Sequence, residues 1–409
     1  MITWRKNLLW IWTALFLSMA GFGFAYPIIP FYLQDVLHVT EQARRDFYIA
    51  LFAFAGNLGF LLFSPIWGKM ADYFGRARML ARASLCSAFL MPLVAFMPDP
   101  ISLTILRFFI GALSGVAAAA MTLVACSTPK QHRGMAMGAV SSAIFSGTLA
   151  GTVLGGLSAS RYGFLTTFLM SGALLFIATF LAFFLIQDRG KPPHYGEKFR
   201  IELKPGLPKF GLVWWIMILT VMMGIGQQMD SPYLPMLVDL VLHNGTSEAL
   251  KWSGILGGAS AAAGIFGGFI IGVLADKYPG HIVGIIISIA AGLFLLPQAF
   301  CTSLPILFAE RMLMVFFVSG LSPIMQSWLS LTTAPEDRGV YFGFATSARA
   351  VGWLLGCVFG MGSTIFWNTR SVFAVSSIVL FAIAVVIVFA QRKIPYPPHD
   401  LKKKTKQYT

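Results

Sequence analysis

Five ionisable residues stand deep inside long apolar runs: Arg107, Asp230, Glu310, Arg311 and Arg349. Charge is costly in hydrocarbon, so a residue of this kind is a functional candidate by default. Asp230 and Glu310 are the two carboxylates read as lying well inside the runs, and therefore the two candidate proton carriers. A carboxyl that alternates between an apolar surrounding and an arginine neighbour takes up and releases its proton as the surroundings change. A structural ion pair between helices is an equal alternative for each of them. Consecutive helical positions point about 100° apart, so Glu310 and Arg311 need not pair with each other. Arg349 fits a structural or gating partner better than a substrate contact. At similar depth stand Asn57, Gln227, Gln228 and Gln326, with Phe22, Phe24, Tyr26, Phe52 and Phe54 supplying aromatic wall. Few polar groups among many aromatic ones suit an amphipathic or lipophilic solute better than a sugar or a phosphate. The six histidines fall in loops, at span ends or in tails without metal spacing, and no phosphate-binding glycine loop occurs. Neither metal nor cofactor is expected, and no catalytic residues are assigned. The four cysteines lie within or at the ends of apolar runs without a C-x-x-C, which reads as buried thiols.

The elements that must carry these residues follow from composition. Of 409 residues, 57% are hydrophobic and 11% charged, where a soluble domain has about 25% charged. Soluble, disordered, coiled-coil and disulfide-scaffold classes are excluded, leaving an all-α membrane protein. The net charge of +14 would suggest nucleic acid in a soluble chain, but here the charges punctuate apolar runs, so the bilayer is the expected partner and nucleic acid is not. Twelve apolar segments are read, near 8–34, 47–68, 79–97, 101–125, 135–159, 164–187, 211–238, 252–275, 281–301, 304–328, 339–363 and 371–391. A polar stretch with Pro192-Pro193 and Pro205-Gly206-Leu207-Pro208 divides six from six. The expected organisation is a six-helix bundle over 1–187, a linker over 188–210, a second bundle over 211–391 and a basic tail over 392–409. With both termini inside, 22 of the 30 lysines and arginines fall on the inner side and five on the outer. The positive-inside rule therefore sets both termini in the cytoplasm of a multi-pass protein, with the bacterial inner membrane as its expected location.

The two halves read as copies. Pro27-x-x-Pro30 meets Pro232-x-x-Pro235, Arg133-Gly134 meets Arg338-Gly339, and Gly147, Gly151 and Gly155 meet Gly352, Gly356 and Gly360, all at a shift of 205. Gly68 and Asp72 meet Gly272 and Asp276, and Arg107 meets Arg311, at 204. Two such bundles in one orientation are parallel repeats related by an axis along the membrane normal, with a cavity between them.

Gly68-Lys69-Met70-Ala71-Asp72-Tyr73-Phe74-Gly75-Arg76-Ala77-Arg78 resembles the G-x-x-x-D-x-x-G-R-[KR]-x signature of the major facilitator superfamily, with Ala77 at one basic position. Gly75 suits the tight turn, and in the family the matching aspartate, here Asp72, approaches a helix N-terminus of the other half as a gate latch. Arg107-Phe108-Phe109-Ile110-Gly111 resembles the family's R-x-x-q-G motif. Gly147-x-x-x-Gly151-Thr152-x-x-Gly155-Gly156 resembles the glycine-rich antiporter element with Thr152 in place of its proline. The resemblance covers the whole chain and is nearest to the twelve-span drug/proton antiporters. It implies two pseudo-symmetric six-helix bundles and a monomer that works by alternating access. It also implies proton-coupled efflux of lipophilic small molecules, with transport of one physiological metabolite or lipid-like solute as the alternative. It implies a transporter and no enzyme.

Overall fold

The computed structural model describes residues 4–25, 27–129, 132–188, 212–333 and 338–391. The central linker, the basic tail and Tyr26 therefore fall outside the described residues, as do the side chains of Asp72 and Asp276. Among the described residues the regular structure is helical: α1 (Trp4–Ala25), α2 (Ile29–Asp35), α3 (Gln42–Phe74), α4 (Arg76–Leu93), α5 (Pro100–Leu113), α6 (Val116–Ser127), α7 (Arg133–Phe184), α8 (Leu212–Gln228), α9 (Leu234–Leu242), α10 (Thr246–Lys277), α11 (Gly280–Leu295), α12 (Leu304–Ser319), α13 (Leu321–Thr332), α14 (Arg338–Phe366) and α15 (Ser371–Ala390).

These helices make twelve passes. At 1.5 Å per residue the 52 residues of α7 would reach about 78 Å, far more than a bilayer core. The chain instead folds back at Gly163, where φ is 78°. Ser158 Oγ lies 3.0 Å from Thr167 Oγ1, a contact that nine residues of straight helix would forbid. α7 thus holds passes five and six. Four other passes are broken in the middle: α1–α2, α5–α6, α8–α9 and α12–α13 are passes one, four, seven and ten. The sequence reading took these as continuous. Prolines that cannot continue a hydrogen-bond ladder stand at two of the breaks, Pro30 in the first turn of α2 and Pro232 and Pro235 around the start of α9. Gly115, at φ 126°, and Gly320 mark the other two.

The duplication is visible in the backbone. The two non-glycine residues with positive φ among those described are His38 (53°) and His243 (52°), 205 positions apart, each closing a broken pass. Gly115 and Gly320 obey the same offset. So does the packing of the glycine ladders. A Cβ at Gly147, Gly151 or Gly155 would lie 2.5, 2.1 or 2.4 Å from the carbonyl of Phe16, Ala20 or Phe24 on α1. One at Gly352, Gly356 or Gly360 would lie 2.2, 2.8 or 2.9 Å from that of Val221, Ile225 or Met229 on α8. Partners as well as glycines are 205 apart, and close backbone approach is what small residues permit between membrane helices. Within each half the main packings correspond too, α1 on α7 and α3 on α5 against α8 on α14 and α10 on α12. The halves meet along α7–α10 and α3–α14. Twelve passes leave both chain ends on one face, the terminal face; the opposite one is the distal face.

Candidate functional site

A cavity of ≈ 570 Å³ lies in the distal half of the molecule, walled chiefly by α1, α3, α5 and α6 and completed by Gln228, Pro232 and Trp353 from the second half. Its wall is apolar and aromatic, with Phe22, Phe52, Phe60 and Trp353. Polar groups are few: Asn57, Ser114, Thr148, Gln228 and Arg107. The Arg107 side chain crosses from α5 over Gly56 of α3, where a Cβ would sit 2.5 Å from its Nε. Its guanidinium carbon stands 5.2 Å from the Phe52 ring centre, within cation–π range. The cleft that admits it exists because α3 and α5 touch through Gly56, Gly59 and Gly111; a Cβ on Gly111 would come 2.0 Å from the Gly56 carbonyl. At the seam between halves, Asn57 Nδ2 lies 3.6 Å from Cys357 Sγ, and the Phe60 and Trp353 rings stand 6.4 Å apart.

The other sequence candidates fall into place as follows. Arg311 of α12 donates to Asp230, just past α8, and both side chains are almost wholly buried. Glu310 takes no part in that pair, and its buried Oε2 lacks a hydrogen-bond partner. Arg349 of α14 donates to Ser322 Oγ at 3.2 Å, and Gln326 reaches the same hydroxyl at 3.3 Å, joining α13 to α14 away from the cavity wall. Of the proposed cavity residues, Phe22, Asn57 and Gln228 line it; Phe24 is buried and backs onto Gly155, and neither Gln227 nor Gln326 belongs to the wall.

The gate motif occupies the α3–α4 turn on the terminal face. Gly75 takes φ 99° there, a value that favours glycine, and Arg78 is exposed. The backbone N–H of Ala77 in the first turn of α4 donates to Asp188 Oδ2 at 3.1 Å, so the end of pass six supplies an anion to the α4 N-terminus. Arg82 lies 3.6 Å over the Trp67 ring, and Trp67 Nε1 donates to the Ala112 carbonyl at 2.5 Å, tying the turn to α5.

Sequence reasoning missed the distal seal. Asp46 of α3 is 1% exposed. Gln42 Nε2 donates to Thr369 Oγ1 at 2.8 Å, and Thr369 donates on to Asp46 Oδ2 at 2.5 Å. The Tyr233 hydroxyl donates to the Asp46 carbonyl at 3.3 Å. Thr246 to Asp35, at 3.4 Å, and Ser247 to the Ser160 carbonyl, at 3.2 Å, complete a row of bonds from one half to the other. Asp46 abuts the apolar run that starts at 47 and reads as a loop charge beside Arg44 and Arg45. The signal was the charged triplet pressed directly against the span. Just below the seal, α7 and α10 cross at Gly156, where a Cβ would lie 2.8 Å from Gly254 Cα, and the Thr152 methyl fills the space beside Gly257. Toward the terminal face, by contrast, a Cβ at Gly68, Gly138, Gly272 or Gly343 would meet no atom within 4 Å. The cavity is closed on the distal side.

Comparison with known proteins places this geometry. The family profile of the Major Facilitator Superfamily matches residues 11–297 and 254–408. The chain is 29% identical over 387 residues to the "Multi-drug resistance efflux pump PmrA homolog" of Lactococcus lactis subsp. lactis (strain IL1403), covering 94% of each. It is 28% identical over 382 residues to "Multidrug resistance protein MdtG" of Salmonella arizonae, covering 93% of this chain and 94% of that one. Among solved structures, a bacterial homologue of the human lysosomal transporter Spinster, inward-facing and occupied, superposes with a TM-score of 0.76 at 15% identity over 97% of this chain and all of that one. A D-xylose-proton symporter gives 0.71 at 16% identity over 95% and 98%. These two likenesses concern the fold.

Proposed function

The chain belongs to the Major Facilitator Superfamily and is a membrane transporter, not an enzyme, and from that premise we propose that it exports lipophilic or amphipathic small molecules in exchange for protons, by alternating access. The observation that carries this reading is the apolar cavity at the junction of two repeated bundles, shut on one face by bonds that run between them. A solute held there is released to the other face when those bonds break and the bundles tilt. The names of its relatives, drug-efflux proteins at 28% and 29% identity along nearly the whole chain, support the class of cargo.

On this reading the terminal face is cytoplasmic, as the lysines and arginines require, so the distal-closed structure is the inward-facing state of a monomer in the bacterial inner membrane. The bundles over 1–187 and 211–391 move about the α7–α10 crossing, and the Gly68–Arg78 turn acts as the cytoplasmic gate in the opposite state. The buried Asp230–Arg311 pair, with Glu310 beside it, couples protons to the tilt: protonating Asp230 releases Arg311 and lets α8–α9 move against α12. The test is transport by the purified protein in proteoliposomes under an imposed pH gradient. Asp230→Asn and Glu310→Gln together abolish gradient-driven uptake of substrate while facilitated exchange persists; unchanged gradient-driven transport in both variants contradicts the coupling role.

A further inference from the structure

We infer that the cargo of this cavity is an anionic amphiphile, an apolar body bearing one carboxylate, sulfonate or phosphonate group that docks on Arg107. The inference rests on the transporter reading above and specifies its substrate. Among the described residues that line the cavity, Arg107 is the one ionisable side chain. It is built in place: the α3–α5 glycine contact lets it cross Gly56, and Phe52 backs its guanidinium. A guanidinium presents five N–H donors in a plane that matches an oxyanion in two-point fashion. Asn57 and Gln228 add amide donors on the same wall, from both halves.

A lipophilic cation finds no such counterpart. Sites for cations rely on a carboxylate or on open aromatic faces. The acids nearest this level are engaged elsewhere: Asp230 with Arg311, and Asp46 with Thr369 in the distal seal. Neither belongs to the cavity wall. The Phe52 face already carries Arg107, so an incoming cation would meet like charge in a surrounding of low dielectric.

The test uses three pyrene probes with one apolar body: pyrenebutyrate, pyrenebutanol and pyrenebutyl-trimethylammonium. Binding to the full-length protein in nanodiscs of zwitterionic lipid is read by energy transfer from tryptophan, with empty nanodiscs subtracted. Because a charged hydrogen-bonded pair is the difference, pyrenebutyrate should bind about tenfold or more tightly than the trimethylammonium probe, with the alcohol between them. Arg107→Gln should erase that ranking and Arg107→Lys keep part of it. Equal or cation-preferring binding in the wild type overturns the inference, as does a ranking that survives Arg107→Gln or a failure of all three probes to bind. The wild-type ranking decides alone if Arg107→Gln does not fold. Either failure leaves proton-driven export standing, whereas export is refuted by the proteoliposome experiment and not by this one.

Discussion

Asp230 and Arg311 each give up water for one partner, so the cost of the pair shows only when it is broken. Removing one member of a buried pair strands the other charge and costs about 3–5 kcal/mol, while replacing both with neutral groups of similar shape costs much less. Arg311→Gln alone should therefore lower the thermal unfolding midpoint sharply in detergent, and Asp230→Asn combined with Arg311→Gln should recover most of it without restoring proton-driven transport. Full stability in the single variant would mean that the pair is not closed in the resting protein. On the distal surface, Asp99 caps α5: its Oδ1 accepts from the Ser102 and Ile101 N–H groups at 2.9 Å each. Those bonds, Ser102 first, hold its carboxyl below the usual carboxylate range. The stabilisation is present above the unfolded-state pKa and lost as pH falls through the folded one. Asp99→Ala should thus be less stable than wild type at neutral pH, with the gap closing as the pH falls below about 4; a gap independent of pH would contradict the cap. At this scale the sequence displayed Asp230 and Arg311 because an apolar run surrounds them. Asp46 was hidden because its burial comes from Thr369 and Tyr233, more than 180 positions away.

Elements show why four passes break and the others do not. Passes one, four, seven and ten each carry a proline or glycine near mid-membrane, and unwound backbone at that depth is tolerated where it is buried in protein or borders a cavity. Ser114, Gly115 and Pro232 border this one. The proline pairs were legible in the sequence as repeats but not as breaks, since proline also kinks helices that continue. The glycine ladders were legible as packing, and the structure adds their partners. Gly151→Ala must push a methyl to within 2.1 Å of the Ala20 carbonyl. Overpacking of this kind costs about 1–3 kcal/mol, so its unfolding midpoint should fall, while Gly138→Ala, with open space, should leave it unchanged or raise it. Equal midpoints would sink the ladder account. Asp46→Ala removes the acceptor of the Thr369 bond and should shift the protein toward a distal-open state, read as faster labelling of a cysteine at Phe22 by a membrane-impermeant maleimide added from the distal side. Unchanged labelling would show that the seal lies elsewhere.

The whole molecule was the most legible scale. Apolar segments counted the passes, and the offset of 205 announced two copies; both depend on features repeated many times, so no single misread boundary could spoil them. The state of the molecule was not legible, because one sequence must encode both the distal-closed arrangement seen here and its opposite, and only contacts tell them apart. The central claim is that the two copies tilt against each other so that one face opens as the other shuts. It is tested by spin-label distances in a cysteine-replaced background, one pair on the distal face at Tyr162 and Trp367 and one on the terminal face at Gln187 and Lys277, all four exposed. As pH and bound substrate are varied, the distal distance should lengthen whenever the terminal distance shortens. Two distances that stay fixed, or that change in the same sense, would contradict the account.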